Sequence, residues 1–324
     1  MKKTLLLILF SALILNTMCV RLKRSIGKSN ELLVVASELE PDLVVEAIQL
    51  YNYVPQKEGI FSFIFVSDTA LDAYQYYHAI LLCGTLEDEF VRTLLNREAR
   101  MQIEKDTFSL FRKSDIWASG QLTMILAVRD ASHIETALAK YGRLIAQTLE
   151  NHYYQRVKQN YYAGGISSKM KDRLRRHGIT LDINEAWLID TTHQDENFIY
   201  VHTHFPDRSI FFYKEATGRP VDGERALAKR DSLARRYYAG DYILKELTIV
   251  EPIEFAGLKG IRLKGVWQND SLVAGGPFLS YFLSDTSTDT LYVIDGMVFN
   301  PGERKSDQLT KIEVIMNSLN LIRY

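Results

Sequence analysis

In the last quarter of the chain the apolar positions change period once. From Leu258 to Phe299 they fall at alternate positions or in short runs; from Asp307 to Leu319 they recur every three to four residues. A period of two sends successive side chains to opposite faces of a strand, and a period near 3.6 gathers them on one face of a helix. The pattern predicts strands over Leu258–Gln268, Pro277–Ser284 and Leu291–Phe299, with bulges at Gly265 and Asp295-Gly296, and a closing helix over Asp307–Leu319. In the second strand Phe278, Ser280 and Phe282 face one way and Leu279, Tyr281 and Leu283 the other. The helix offers Leu309, Ile312, Ile315, Met316 and Leu319 to the sheet, with Ser306 as its N-cap and Asp307 in its first turn. An antiparallel meander with a helix on one face makes a two-layer core.

Upstream, strand and helix patterns alternate. Strands are expected at Glu31–Ser37, Ile60–Val66 and Ala79–Cys83, and helices from Pro41 to Tyr51, Thr69 to Tyr77 and Leu86 to Lys105. Phe108–Trp117 and Gln121–Val128 read as a hairpin. A long helix from His133 to about Tyr162 follows and stops at Gly164-Gly165. A short basic helix, Ser167–His177, precedes strands at Glu185–Asp190, Asn197–His204 and Ser209–Glu215, a helix from Asp222 or Gly223 to Tyr238, and a strand at Ile243–Glu251. The fold class is therefore α+β in two lobes: a mixed β/α lobe over residues 31–165 and an antiparallel-sheet-plus-helix lobe over residues 166–324. No internal repeat is visible.

The first thirty residues differ in kind. Lys2-Lys3 precede an apolar run from Thr4 to Leu15, the charged and apolar regions of an export signal. Residues 1–18 are expected to be a signal peptide, Cys19 a lipidation site and residues 19–30 a basic tether beside lipid headgroups. Met18 departs from the small residue usual before a lipidated cysteine. Cys83 is the only other cysteine and reads as a small buried hydrophobe. The apolar fraction of 47% allows sizeable cores, and the formal charge of −1 gives no electrostatic case for nucleic acid.

Candidate chemistry is sparse. His202-Thr203-His204 places two imidazoles on one face of a strand, where both could address a metal ion, with Asp190, His193 or Asp207 as a third ligand. The alternative is polar residues alternating with Val201 and Phe205 on a wetted sheet face. No GxSxG, GxGxxG or HExxH spacing occurs, so no catalytic residue and no cofactor is assigned. Arg230-Asp231 are neighbours on a helix and so point apart; one is expected to reach a strand or the other lobe.

Four groups of residues carry a resemblance. They are Gly27-Lys28-Ser29-Asn30-Glu31-Leu32-Leu33-Val34-Val35; Ile116-Trp117-Ala118 with Gln121; Arg230-Asp231; and the series Gly265-Val266-Trp267, Gly275-Gly276-Pro277-Phe278, Val298-Phe299-Asn300-Pro301 and Lys311-Ile312-Glu313. Together they resemble the family called domain of unknown function 4837, bacterial cell-envelope proteins that are usually lipoproteins. Gly120 stands where the family pattern is expected to carry proline. The resemblance implies an envelope location and no activity. The expected function is that of a membrane-tethered, non-enzymatic binding or assembly module facing the periplasm, its partner an envelope protein, a glycan or lipid. The alternative is a metal-dependent or hydrolytic envelope enzyme using His202 and His204.

Overall fold

The computed structural model describes residues 22–36, 39–53 and 56–322. The signal peptide and Cys19 lie outside the described residues, as do Ser37 and Tyr324. The chain divides into two units, Met1–Ala47 with Phe63–Ile145, and Ile48–Ser62 with Ala146–Tyr324. The fold is α+β.

The first unit is built on a five-stranded sheet in the order β4-β1-β5-β7-β6. Its strands are β1 (Glu31–Val35), β4 (Ser62–Val66), β5 (Ala79–Thr85), β6 (Phe108–Ser114) and β7 (Leu122–Val128). The pairs β1/β5 and β5/β7 are parallel, and β6 closes the edge antiparallel to β7. β1, β5 and β7 are continuous apolar runs because helices cover them: α1 (Pro41–Ile48), α2 (Leu71–Tyr74), α3 (Glu89–Leu94), α4 (Arg97–Asp106) and α5 (Ile134–Tyr162). Leu33, Val35, Ile80, Leu82, Ile125 and Ala127 form the core with Phe90, Val91 and Ile103. Cys83 sits 1% exposed in β5, and burial pushes its thiol up to about 12.

Two expectations fail here for local reasons. The helix expected over Leu86–Lys105 is two helices, because Leu95 turns into extended conformation to reach the core and Asn96 starts a new cap, accepting from the Ala99 N–H at 2.9 Å. The basic tether is not a free linker along its described part. Ser25 N donates to Ser119 O, Ser119 N donates to Lys23 O, and Ile26 pairs with Tyr76 and His78. The loop it meets is organised by Gln121, whose Nε2 donates to Gln75 O and Tyr77 O while its Oε1 accepts from Trp117 N. Gly120 has φ +75°, a conformation closed to proline.

The second unit carries β2 (Tyr51–Tyr53) and β3 (Lys57–Gly59), a two-stranded hairpin, and a large antiparallel sheet. Its strands include β9 (Leu188–Asp190), β10 (Phe198–Thr203), β11 (Asp207–Ala216), β12 (Tyr242–Ile243), β13 (Ile249–Phe255), β14 (Leu258–Asn269), β15 (Ala274–Asp285) and β16 (Thr290–Phe299). Their order is β12-β14-β15-β16-β11-β10-β9, with β13 also on β14. A separate pair joins β8 (Ile179–Thr180) to β17 (Asn320–Leu321). Helix α6 (Ser168–Arg175) covers Met170 and Leu174, α7 (Gly223–Tyr237) lies on one face of the large sheet and α8 (Ser306–Met316) on the other. The expected meander is present, with a helix on both faces rather than one.

Alternation sorts the side chains between the two layers. Phe278 and Phe282 join Leu263, Trp267, Val293 and Met297 under α7; Leu279, Tyr281 and Leu283 join Ile294 and Val298 under α8. Neither expected bulge exists. Register runs unbroken through Gly265↔Phe278 and through Gly296, which opposes Ile210 and Leu279. The glycines are there for proximity. A Cβ on Gly265 would meet Thr248 Oγ1 at 2.4 Å, and one on Gly296 would meet Ile312 Cγ2 at 2.2 Å, so Gly296 lets α8 lie close on the sheet.

The start of α8 also differs from expectation. Ser306 is its first helical residue, and the Ser306 hydroxyl is buried with no hydrogen-bond partner. The free N–H groups of Lys305 and Ser306 instead donate to the Glu58 carboxylate of β3 at 3.1 and 3.0 Å. The division between the units falls inside α5, and the β2–β3 hairpin goes with the second unit. α5 runs from Ile134 to Tyr162 with no internal proline, so nothing in the sequence marks that point.

Candidate functional site

At one end of the large sheet the strand ends and the C-terminus of α7 bring aromatic side chains together. Phe198, Tyr200 and His202 alternate along β10, so all three face the α7 side. α7 ends at Tyr237 and passes into Tyr238, Ala239 and Gly240, the last two at positive φ. Tyr237 stacks on Phe198 with ring centroids 3.9 Å apart, and Tyr238 meets Tyr200 edge-on at 5.6 Å. β14 contributes Trp267 and β16 contributes Met297 and Phe299, the Trp267 and Phe299 rings lying 6.3 Å apart.

These groups line a cavity of about 470 Å³ whose walls include Tyr200, His202, Tyr238, Trp267, Met297 and Phe299. Thr203, His204, Asp207, Arg208, Ser209 and Asp241 line it as well, so an aromatic wall meets a polar one; a volume of that order suits a small organic ligand. Trp267 and Phe299 also border a neighbouring cavity of about 680 Å³, which the charged residues Glu58, Glu303 and Lys305 line from the other side. The Trp267 side chain is 5% exposed, and its Nε1–H has no hydrogen-bond partner.

Behind the aromatic wall lies a charged pair. Arg230 of α7 and Asp295 of β16 are both wholly buried, with Nε donating to Oδ2 at 3.2 Å. Ser280 Oγ donates to the same oxygen, Arg230 Nη2 contacts Met297 Sδ at 2.8 Å, and the guanidinium sits 4.5 Å above the Phe278 ring. Asp231, the next residue, points elsewhere and accepts from Ile243 N at 2.9 Å. The adjacent pair thus serves two elements: Arg230 fixes the layer behind the cavity, and Asp231 fixes β12. Near them Asn269 donates to Asp241 Oδ1 at 2.7 Å and to Ala239 O, and it accepts from Leu272 N, tying the β14–β15 turn to the end of α7. Desolvation raises the Asp241 carboxyl above the usual carboxylate range.

His202 and His204 are close, their ring centroids 5.2 Å apart, but they do different things. His202 stacks on Tyr200 inside the cavity wall, and burial, then His204, lowers its pKa. His204 lies in the β10–β11 turn, exposed, and pairs through Nδ1 with Asp207 Oδ1 at 2.7 Å. Asp190 is committed to the Thr192 hydroxyl and amide, and His193 to Glu196. Among the described residues no group of three or more His, Cys, Asp or Glu is placed to hold a metal ion. The face carrying His202 is an aromatic layer rather than a wetted one.

Sequence reasoning picked out His202, His204 and Arg230 but not the convergence of Tyr200, Tyr238, Trp267, Met297 and Phe299 near them. The alternation of Phe198, Tyr200 and His202 and the Tyr237-Tyr238 pair at a helix end were the available signals. The basic helix α6 presents Lys171 to Asp182 and Arg175 to Asp172 around its buried Met170 and Leu174.

Known proteins add a partial family match and little else. Among solved structures, 45% of the chain aligns with 83% of LpqN of Mycobacterium tuberculosis, described as involved in cell envelope biogenesis, at 13% identity and a TM-score of 0.31. The same share aligns with 91% of a mutant of the protein Mog1, at 13% identity and 0.30. It also aligns with 46% of a protein from Bacteroides thetaiotaomicron, at 9% identity and 0.26. Likenesses this weak bear on neither the fold nor the function of this chain. No curated protein matches it. A protein-family model does match, over residues 167–318, which takes in the large sheet, α7, α8 and the whole cavity wall. Those residues match the model of the family described as domain of unknown function (DUF4837).

Proposed function

We propose that this protein is a membrane-tethered, non-enzymatic binding module of the cell envelope, and that the aromatic cavity of its second unit is the binding site for an apolar ligand. The observation that carries the site is the convergence of Tyr200, His202, Tyr238, Trp267, Met297 and Phe299 around about 470 Å³, with no metal cluster among the described residues. The tether rests on the export-type leader and Cys19. No helix among the described residues is long and apolar enough to cross a membrane.

The site is tested with 1-N-phenylnaphthylamine, an uncharged probe that brightens in apolar surroundings. Saturable one-to-one binding is expected, lost in Ala274→Phe, which fills the cavity from its rim without removing a buried group. Binding that is absent, or unchanged in Ala274→Phe, contradicts the reading. The anchor is tested separately by feeding cells an alkyne fatty acid. Label should enter the wild type and not Cys19→Ala; equal labelling of both contradicts lipidation at Cys19.

A further inference from the structure

Two turns flank the cavity, and each carries apolar residues into solvent. Phe205, in the β10–β11 turn, is 100% exposed; Leu272 and Val273, in the β14–β15 turn, are 66% and 91% exposed. Strand register puts both turns at one end of the sheet. β11 starts with Asp207 opposite Phe299, the last residue of β16, and β15 starts with Ala274 opposite Asn269, the last of β14. The β15–β16 turn, residues 286–289, closes the opposite end, where Asp285 opposes Thr290. His204 and Leu272, one from each turn, line the same cavity.

The backbone of these turns is unusual as well. Phe205 has φ +56° and Val273 has φ +49°. Glycine or asparagine takes that conformation readily, whereas a bulky or β-branched residue there is strained. Strain of this kind persists at sites where the side chain is needed. Here the side chains retained are apolar and face water.

The shape and charge of these turns select the partner. Three exposed apolar side chains on two turns fall far short of the roughly 20–30 residues a side that a standard protein interface packs together. A fluid apolar layer needs no complementary shape. Residues 204–207 and 269–273 contain no Lys or Arg, so attraction to anionic headgroups is not the driving force. Resting on the envelope reading above, we propose that these two turns dip into the apolar layer of a lipid bilayer and bring the mouth of the aromatic cavity to its acyl chains.

The test uses the full chain carrying Cys19→Ala and Cys83→Ala, with phosphatidylcholine vesicles and an NBD fluorophore on a single introduced cysteine. Phe205→Cys and Val273→Cys report on the proposed end, and Thr286→Cys, exposed at the opposite end of the same sheet, is the internal control. Vesicles should shift the emission at 205 and 273 to the blue, and acyl-chain nitroxides should quench both, with position 286 unchanged. The response should be the same in low and high salt. Phe205→Ser with Val273→Ser should weaken vesicle partition by roughly tenfold or more. Emission that stays water-like at 205 and 273, or quenching equal at all three positions, overturns the proposal. So does a response to an envelope-protein extract stripped of lipid but not to vesicles. Probe binding to the cavity is measured without vesicles, so either reading can fail while the other stands.

Discussion

At the scale of single residues, the buried Arg230–Asp295 pair carries the sharpest prediction. Neither group reaches water, and each is the other's charge partner. Removing one leaves an uncompensated ion in the core, so Arg230→Met should destabilise the fold by about 3–5 kcal/mol. A charge-free pair, Arg230→Met with Asp295→Leu, should recover most of that loss. Urea unfolding of the three proteins checks it; a double variant no better than the single would mean that the ion pair is not the reason for the loss. His202 supplies a pH prediction. Its folded pKa lies below 6.5, its ordinary value, through burial first and the neighbouring His204 second. Between the two values the unfolded chain binds more protons than the native one, so stability falls as pH drops through about 6.5 and the loss is complete below the folded pKa. The melting temperature should drop from about pH 7.5 to about pH 5.5, and His202→Gln should shallow that drop. An identical slope in the variant would contradict it.

At the scale of elements, α8 is where sequence and structure diverge most usefully. Its apolar face, Leu309, Ile312, Ile315 and Met316, was legible from spacing alone, because that face meets one continuous sheet layer. Its cap was not. Glu58 lies some 250 positions away in a short hairpin that the sequence showed only as the end of a helix and a loop. Glu58→Ala should therefore cost about 1 kcal/mol and speed amide exchange at Ser306, while Ser306→Ala should change stability by less than about 0.5 kcal/mol. The opposite ranking would restore Ser306 as the cap. Glycines were misread for a related reason. A glycine inside a strand signals either an inserted residue or a close neighbour, and only the packed structure says which. Gly296→Ala should push α8 off the sheet and destabilise by about 1–3 kcal/mol, measured by thermal unfolding. The elements of the site were legible as strands and a helix end; their meeting was not, since it depends on sheet order, which brings β10 and β14 to one cavity across three other strands.

For the whole molecule, the physical argument is one of layers and ends. The large sheet is covered on both faces by α7 and α8, so its faces are occupied and a ligand is left with one end. That end holds the aromatic cavity and the exposed apolar turns, whereas Cys83 belongs to the first unit's core, Glu58 to a helix cap, and Lys171 and Arg175 of α6 to Asp182 and Asp172. The central claim, that the aromatic end of the second unit is the binding site, is tested most directly by hydrogen exchange of the full chain with and without phenylnaphthylamine. Protection should appear at residues 200–209, 237–241 and 267–274 and leave β1, β5 and β7 unchanged. Protection confined to the first unit, or to the charged neighbouring cavity at residues 303–305, would contradict the account.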